Sequence, residues 1–209
     1  MIAERLAERM GVKPVEAFEA LRRAAREARE ERRRGGWSDW RRGAAIVAAR
    51  LGIRVEELYS AVEEALLSKP WGLPLPGARE TLASLKKAGF RVGVLGNVLF
   101  WPGSLTRRIL AETGLANSID VMLFADEIGY SKPSPKAFEA IAEELGCSID
   151  ELTHVGDRVD EDVAGAVLAG ARGVLAWSKR VERPVCIHER LCATPDLLSI
   201  LEVLTTGRH

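Results

Sequence analysis

The chain has 209 residues, 47% hydrophobic and 29% charged, and its 30 basic and 30 acidic side chains cancel to a formal net charge of zero. That length suits one core, or a core with a smaller attached domain. The charge balance removes the usual electrostatic reason for nucleic acid or an anionic membrane as main partner. No apolar run is long enough to span a bilayer, and the Met-Ile-Ala-Glu-Arg start is not a secretory signal, so a cytoplasmic location is expected. Three cysteines, an odd number, predict free thiols in a reducing compartment rather than a disulfide framework. Arginine and glutamate are used heavily and glutamine is absent, which points toward a thermophilic source.

From Met1 to Ser68 the pattern is helical. Ile2, Leu6 and Met10 recur at one-turn spacing, and Val15, Phe18, Leu21 and Ala25 continue a stripe after the Gly11 break. Trp40, Ala44, Val47 and Leu51 form a third stripe, and Val55, Leu58, Val62 and Leu66 a fourth, so a small four-helix bundle is expected. The Arg- and Glu-dense run 22–34 reads as a solvated, salt-bridged face. Gly35-Gly36 ends that helix, and Ser38 is the expected N-cap of the next. Trp37, Trp40 and Trp71 are read as core and hinge packing, with a cleft-lining role as the alternative.

Prolines and glycines crowd Lys69-Pro-Trp-Gly-Leu-Pro-Leu-Pro-Gly77, which interrupts helix and strand alike and sets a boundary. The expected division is a helical segment 1–68, a linker 69–77 and an α/β core 78–209. Beyond the linker, helices at 78–88, 105–113 and 136–145 alternate with strands at 91–95, 120–124 and 152–155. A helix up to Gly170 and a strand 173–177 follow. Such alternation predicts a parallel sheet with helices on both faces. After Ser178 the chain reads as irregular until a last helix near 195–204.

Three polar stretches fall at strand ends, where open parallel sheets bind their ligands. His154-Val-Gly-Asp157 turns into Arg-Val-Asp-Glu-Asp162, which gathers Asp157, Asp160, Glu161 and Asp162. Crowded carboxylates repel one another unless a hard cation such as Mg²⁺ neutralises them; the plainer reading is an acidic helix start favoured by the macrodipole. Gly96-Asn97 closes the strand at Leu95, where a backbone N–H and an amide can meet an anion. Ser131-Lys132-Pro133-Ser134-Pro135 opens a helix, with Lys132 as a cation for phosphate or carboxylate. Each stretch alone reads as an ordinary turn or an exposed lysine; together they form a candidate site.

In order, these three stretches resemble the later motifs of the haloacid dehalogenase superfamily, and the resemblance covers nearly the whole chain. It implies a Rossmann-like α/β core with an N-terminal four-helix cap, acting as a Mg²⁺-dependent phosphomonoester hydrolase on a small phosphorylated metabolite. Carried over by position, Asp157 and Asp162 hold Mg²⁺, Lys132 binds the phosphoryl group and the nucleophile, Asn97 and the Gly96 N–H bind the phosphoryl group, and His154 supports the turn. Two features depart from the family. Gly96 stands where a Ser or Thr hydroxyl is usual, and the 209 residues contain no Asp-x-Asp-x-Thr motif on a first core strand, so no nucleophile is assigned. The expectation is impaired or absent turnover. A non-catalytic binding or regulatory protein is the alternative, and a dehalogenase a third.

In the family that first strand lies mid-sheet, between the strands ending at Leu95 and Val155. Unpaired buried backbone groups cost roughly 1–3 kcal/mol each, so the two strands are expected to pair directly, to take in another segment, or to accept a second chain in a homodimer. Cys186, His188 and Cys192 are weighed as zinc ligands, but they lack a fourth, and a loop with free thiols is expected.

Overall fold

The computed structural model describes residues 1–68 and 74–206. The chain divides into two compact units. One comprises Met1–Leu73, Gly96–Thr113 and Phe124–Ser131; the other comprises Pro74–Leu95, Gly114–Leu123 and Lys132–His209. The expected linker 69–77 and Trp71 lie partly or wholly outside the described residues.

The first unit is helical: α1 (Ile2–Met10), α2 (Pro14–Gly35), α3 (Trp40–Leu51) and α4 (Val55–Leu67), joined by α6 (Gly103–Glu112) and the short α7 (Ala125–Ile128). Its core holds Leu6, Val47, Leu58 and Val62, each fully buried. Trp37 and Trp40 pack into this core. The α2 stripe is the expected one in part: Leu21 and Ala25 pack against the core, but its first two members do not. Val15 and Phe18 are 65% and 51% exposed, and the inward face is Ala17, Ala24, Ala25 and Ala28. Small side chains let helix backbones approach closely, so α2 fits tightly between α1 and α3 where a Val/Phe face would hold them apart. The Arg-rich face is not wholly solvated either: Arg32 is buried and its Nη1 donates to the Val98 carbonyl at 3.0 Å. Gly36 ends α2 with φ 60°, as expected, but the N-cap of α3 is Asp39, whose carboxylate accepts from Arg41 N at 3.0 Å, rather than Ser38.

The second unit contains α5 (Ala78–Lys87), α8 (Pro135–Leu145), α9 (Gly165–Ala169) and α10 (Ile200–Thr206) around short strands. β1 (Gly93–Gly96) pairs with β2 (Val121–Phe124), the last residue of each belonging to the helical unit. A separate four-stranded sheet runs β3-β4-β6-β5, from β3 (Thr153–Gly156), β4 (Arg172–Leu175), β5 (Val185–His188) and β6 (Leu191–Ala193). β3, β4 and β6 are parallel, in the register Val155–Val174–Cys192, and β5 runs antiparallel on the edge. The fold is thus the expected α/β class. The stretch after Ser178 is not irregular, because it forms this hairpin. Cys186 faces Cys192 across it and the two are joined in a disulfide, leaving Cys147 as the free thiol. Free thiols at Cys186 and Cys192 are therefore corrected, and with both sulfurs bonded the zinc reading lapses.

β1 and β3 do not pair. Between them lies a cavity of about 670 Å³, walled by Arg91–Leu95 and Leu152–Gly156. No segment of the described chain fills it, contrary to the expectation of pairing or insertion. Each strand is fixed from its other side: β3 by β4, β1 by β2, and Gly93 by Ile141 and Leu145 of α8, which already stand where a Cβ would press them. Closing the gap would break those contacts.

Candidate active site

Lys132 is 8% exposed and sits at the carboxyl end of β1, where its Nζ donates to the Leu95 carbonyl at 2.7 Å. Its second partner is Asp162 Oδ1, also at 2.7 Å. His154, near the end of β3, places Nε2 3.0 Å from the same oxygen and 3.3 Å from Nζ. Because Lys132 already donates to Asp162, the network assigns the ring proton to Nε2, aimed at the carboxylate. The other oxygen of Asp162 accepts from Arg158 N at 3.0 Å. Phe138 of α8 meets the imidazole edge-on, 5.2 Å between ring centroids, and fixes its plane.

The local sequence dictates this arrangement. After Asp157 the backbone passes through a single π turn, Val159–Ala164, which carries Asp162 back toward β3. Gly156 makes room, since a Cβ there would overlap the Asp162 side chain. Gly165 does the same for Lys132: a Cβ would stand 2.9 Å from Pro133 Cα, so glycine lets the Lys132-Pro133 turn lie against α9. Gly173 admits the Val163 carbonyl, where a Cβ would stand 2.6 Å away.

Electrostatics follow from burial and neighbours. Burial opposes ionisation of Asp162, but the His154 hydrogen bond and the Lys132 charge outweigh it and hold its carboxyl far below the usual range. Burial, helped by the Lys132 charge, pushes the His154 pKa down against the opposing pull of Asp162, so the imidazole is neutral at pH 7. The cluster carries one positive and one negative charge, each satisfied.

Asp157 is different. It is exposed, lines the same cavity as Lys132 and Asp162, and makes no hydrogen bond or ion pair among the described residues. Its carboxylate is free to meet a cation. Both oxygens of Asp162 take donors, and no group of three His, Cys, Asp or Glu residues able to hold a metal exists among the described residues. The π turn brings Asp162 to Lys132, while Asp157 lines the cavity beside them. The donors present fit a magnesium ion bound through one carboxylate, water and phosphate oxygens, a common mode for that metal.

Lys132, Asp157, Asp162 and His154 come together in the α/β unit, whereas Gly96 and Asn97 belong to the helical unit. At Gly96 a Cβ would stand 2.5 Å from the Phe124 ring, which is why no serine or threonine occupies the position. Two participants were not read from the sequence. His154 as a partner of Lys132 needs the inward turn of Asp162, signalled only by Gly156. Trp177, which lines the cavity with φ 53°, carried no sequence signal.

A buried lysine at the carboxyl end of one strand and an acidic turn at the end of another define a class, and residues 2–170 match the haloacid dehalogenase-like hydrolases. The chain belongs to that family. Among individual relatives, it is 32% identical over 127 residues to a glyceraldehyde 3-phosphate phosphatase of Methanothermobacter thermautotrophicus, covering 59% of this chain and 51% of that one. It is 35% identical over 122 residues to a phosphoserine phosphatase of Thermus thermophilus, covering 58% and 45%. The chain spans about half the length of these curated relatives. The fold superposes on L-2-haloacid dehalogenase from Xanthobacter autotrophicus with TM-score 0.75 at 18% identity, over 100% of this chain and 93% of that one.

Proposed function

We propose that these residues form the phosphoryl- and metal-binding half of a Mg²⁺-dependent phosphomonoester hydrolase acting on a small phosphorylated metabolite. The observation that carries this reading is the division of labour between two carboxylates five residues apart. Asp162 is committed to Lys132, and Asp157 stands free beside it on the cavity wall. Lys132 offers a fixed ammonium to phosphoryl oxygens, and a cation at Asp157 would withdraw charge from the same group. The phosphatase names of the curated relatives support the substrate class. A dehalogenase has no need of a cation, so the free Asp157 weighs against that alternative.

The in-line nucleophile is the part these residues do not assign. Lys132 and a cation stabilise charge but cannot attack phosphorus. We infer that the attacking carboxylate belongs to an extended strand lying between β1 and β3, because the cavity there is walled by strand edges and ends at Lys132. The test is a hydrolysis assay on a panel of phosphomonoesters with and without Mg²⁺. The 209-residue chain is expected to turn over little. The same chain preceded by an apolar strand ending in Asp-x-Asp is expected to gain Mg²⁺-dependent hydrolysis, lost again in Asp157→Ala. Failure of both forms would favour the non-catalytic binding protein. Efficient turnover by the 209 residues alone, abolished by Asp157→Ala, would reveal a different nucleophile.

A further inference from the structure

We propose that the Cys186–Cys192 disulfide is a thiol–disulfide exchange site, and that its redox state sets the position of Trp177 on the wall of the cavity that holds Lys132, Asp157 and Asp162. The two sulfurs sit in unlike surroundings. Cys186 lies on β5, an edge strand whose four residues are all exposed and which pairs with β6 alone. Cys192 is 3% exposed and packs against Val174, Val203 and Val155. An incoming thiolate therefore meets the Cys186 sulfur in the open, with the Cys192 sulfur as the leaving group.

The bond is placed to be felt at the site. Two residues beyond Cys192, Thr194 is fully buried; its N–H donates to the Leu175 carbonyl at 2.8 Å and its carbonyl accepts from Ser178 N at 2.9 Å. On the other side of Trp177, Ala176 N donates to the Gly156 carbonyl at 2.8 Å. Trp177 is thus held between two backbone bonds, one to the end of β3 and one to the end of β6. Its φ of 53° is rare for a bulky side chain and persists only where the surroundings impose it. The clamp on β6 is one of those surroundings. Apart from the disulfide, β5 is retained by the Glu189–Arg190 turn and a short ladder to β6, which is broken by a register shift between Cys186 and His188, and its Ile187 is 77% exposed.

The reductant is a dithiol. Its first thiolate bonds to the Cys186 sulfur and the S–S bond breaks, leaving Cys192 as a thiolate that takes up a proton. Its second thiol then attacks the mixed disulfide, so Cys186 leaves as a thiol and the dithiol departs as a cyclic disulfide. Two electrons and two protons pass to the protein. Without the bond, β5 is held to β6 by the Glu189–Arg190 turn and three ladder pairs; as that edge frays, the Thr194–Ser178 bond weakens and Trp177 leaves its strained conformation.

Dithiothreitol applied to the native chain without denaturant tests this, with thiol titration and tryptophan emission as readouts. One titratable thiol is expected before reduction and three after. Emission should change on reduction in the wild type, and most of that change should vanish in Trp177→Phe. Tryptic cleavage after Arg190 should become severalfold faster on reduction, a readout that needs no variant. Three thiols before treatment, a disulfide that resists native reduction, or an emission change that is absent or survives in Trp177→Phe would each overturn the proposal.

Discussion

Lys132, Asp162 and His154 share one oxygen atom, and that oxygen sets the behaviour of the site. Side chains of Lys132 and Asp162 are only 9% and 7% exposed, and removing one member of so buried a pair typically costs about 3–5 kcal/mol because the other is left uncompensated. His154 adds a pH dependence. In the unfolded chain it binds a proton near its ordinary value of about 6.5; in the folded chain burial defers that proton to lower pH. Its contribution is therefore complete above that value and lost as pH falls below it, because the unfolded state takes up the proton first. Asp162, with a depressed folded pKa, acts in the same direction further down, below the ordinary carboxylate range. Denaturant unfolding measured from pH 8 to pH 4 should show stability falling with acid, and His154→Gln should flatten the upper part of that fall. An unchanged profile in the variant would remove His154 from the network. The spacing of Asp157 and Lys132 was legible in the sequence because each follows a recognisable strand. The inward turn of Asp162 was not, since it depends on a π turn that spacing alone does not specify.

Helix α2 shows how elements can mislead a pattern reading. Val15 and Phe18 are more hydrophobic than alanine and keep helical spacing, so they outrank Ala17, Ala24 and Ala28 in any scale-based stripe, although of the expected residues only Leu21 and Ala25 pack against the core. Close approach of α1 and α3 selects the smaller residues instead. Substituting Phe18→Lys should change stability by no more than about 0.5 kcal/mol, as expected for an exposed position. Ala28→Leu should cost about 1–3 kcal/mol by overpacking. Thermal or denaturant melts of the two variants check the order, and a larger loss for Phe18→Lys would restore the original stripe. The helices α1, α3 and α4 were readable because their large apolar residues are the buried ones. The β5–β6 hairpin was not: its strands have four and three residues, flanked by charge and without clean alternation. Only the facing of Cys186 and Cys192 across the ladder reveals it.

At the scale of the molecule, the α/β alternation and the order of the strand-end motifs were legible, and they suffice for the family. What periodicity could not convey is that β1 and β3 stay apart. That outcome rests on lateral anchoring by β2, β4 and α8, none of which is encoded in either strand. The cavity between them ends at Lys132, with Asp157 on its wall, so the central claim is that this end binds a phosphoryl group together with magnesium. Calorimetric titration of the chain with inorganic phosphate, with and without MgCl₂, tests it most directly. Phosphate should bind and Mg²⁺ should tighten it; Lys132→Met should weaken binding about tenfold or more, equivalent to at least ~1.4 kcal/mol, and Asp157→Ala should remove only the Mg²⁺ effect. Phosphate binding that is absent from the wild type, or equally strong in Lys132→Met, would contradict the account.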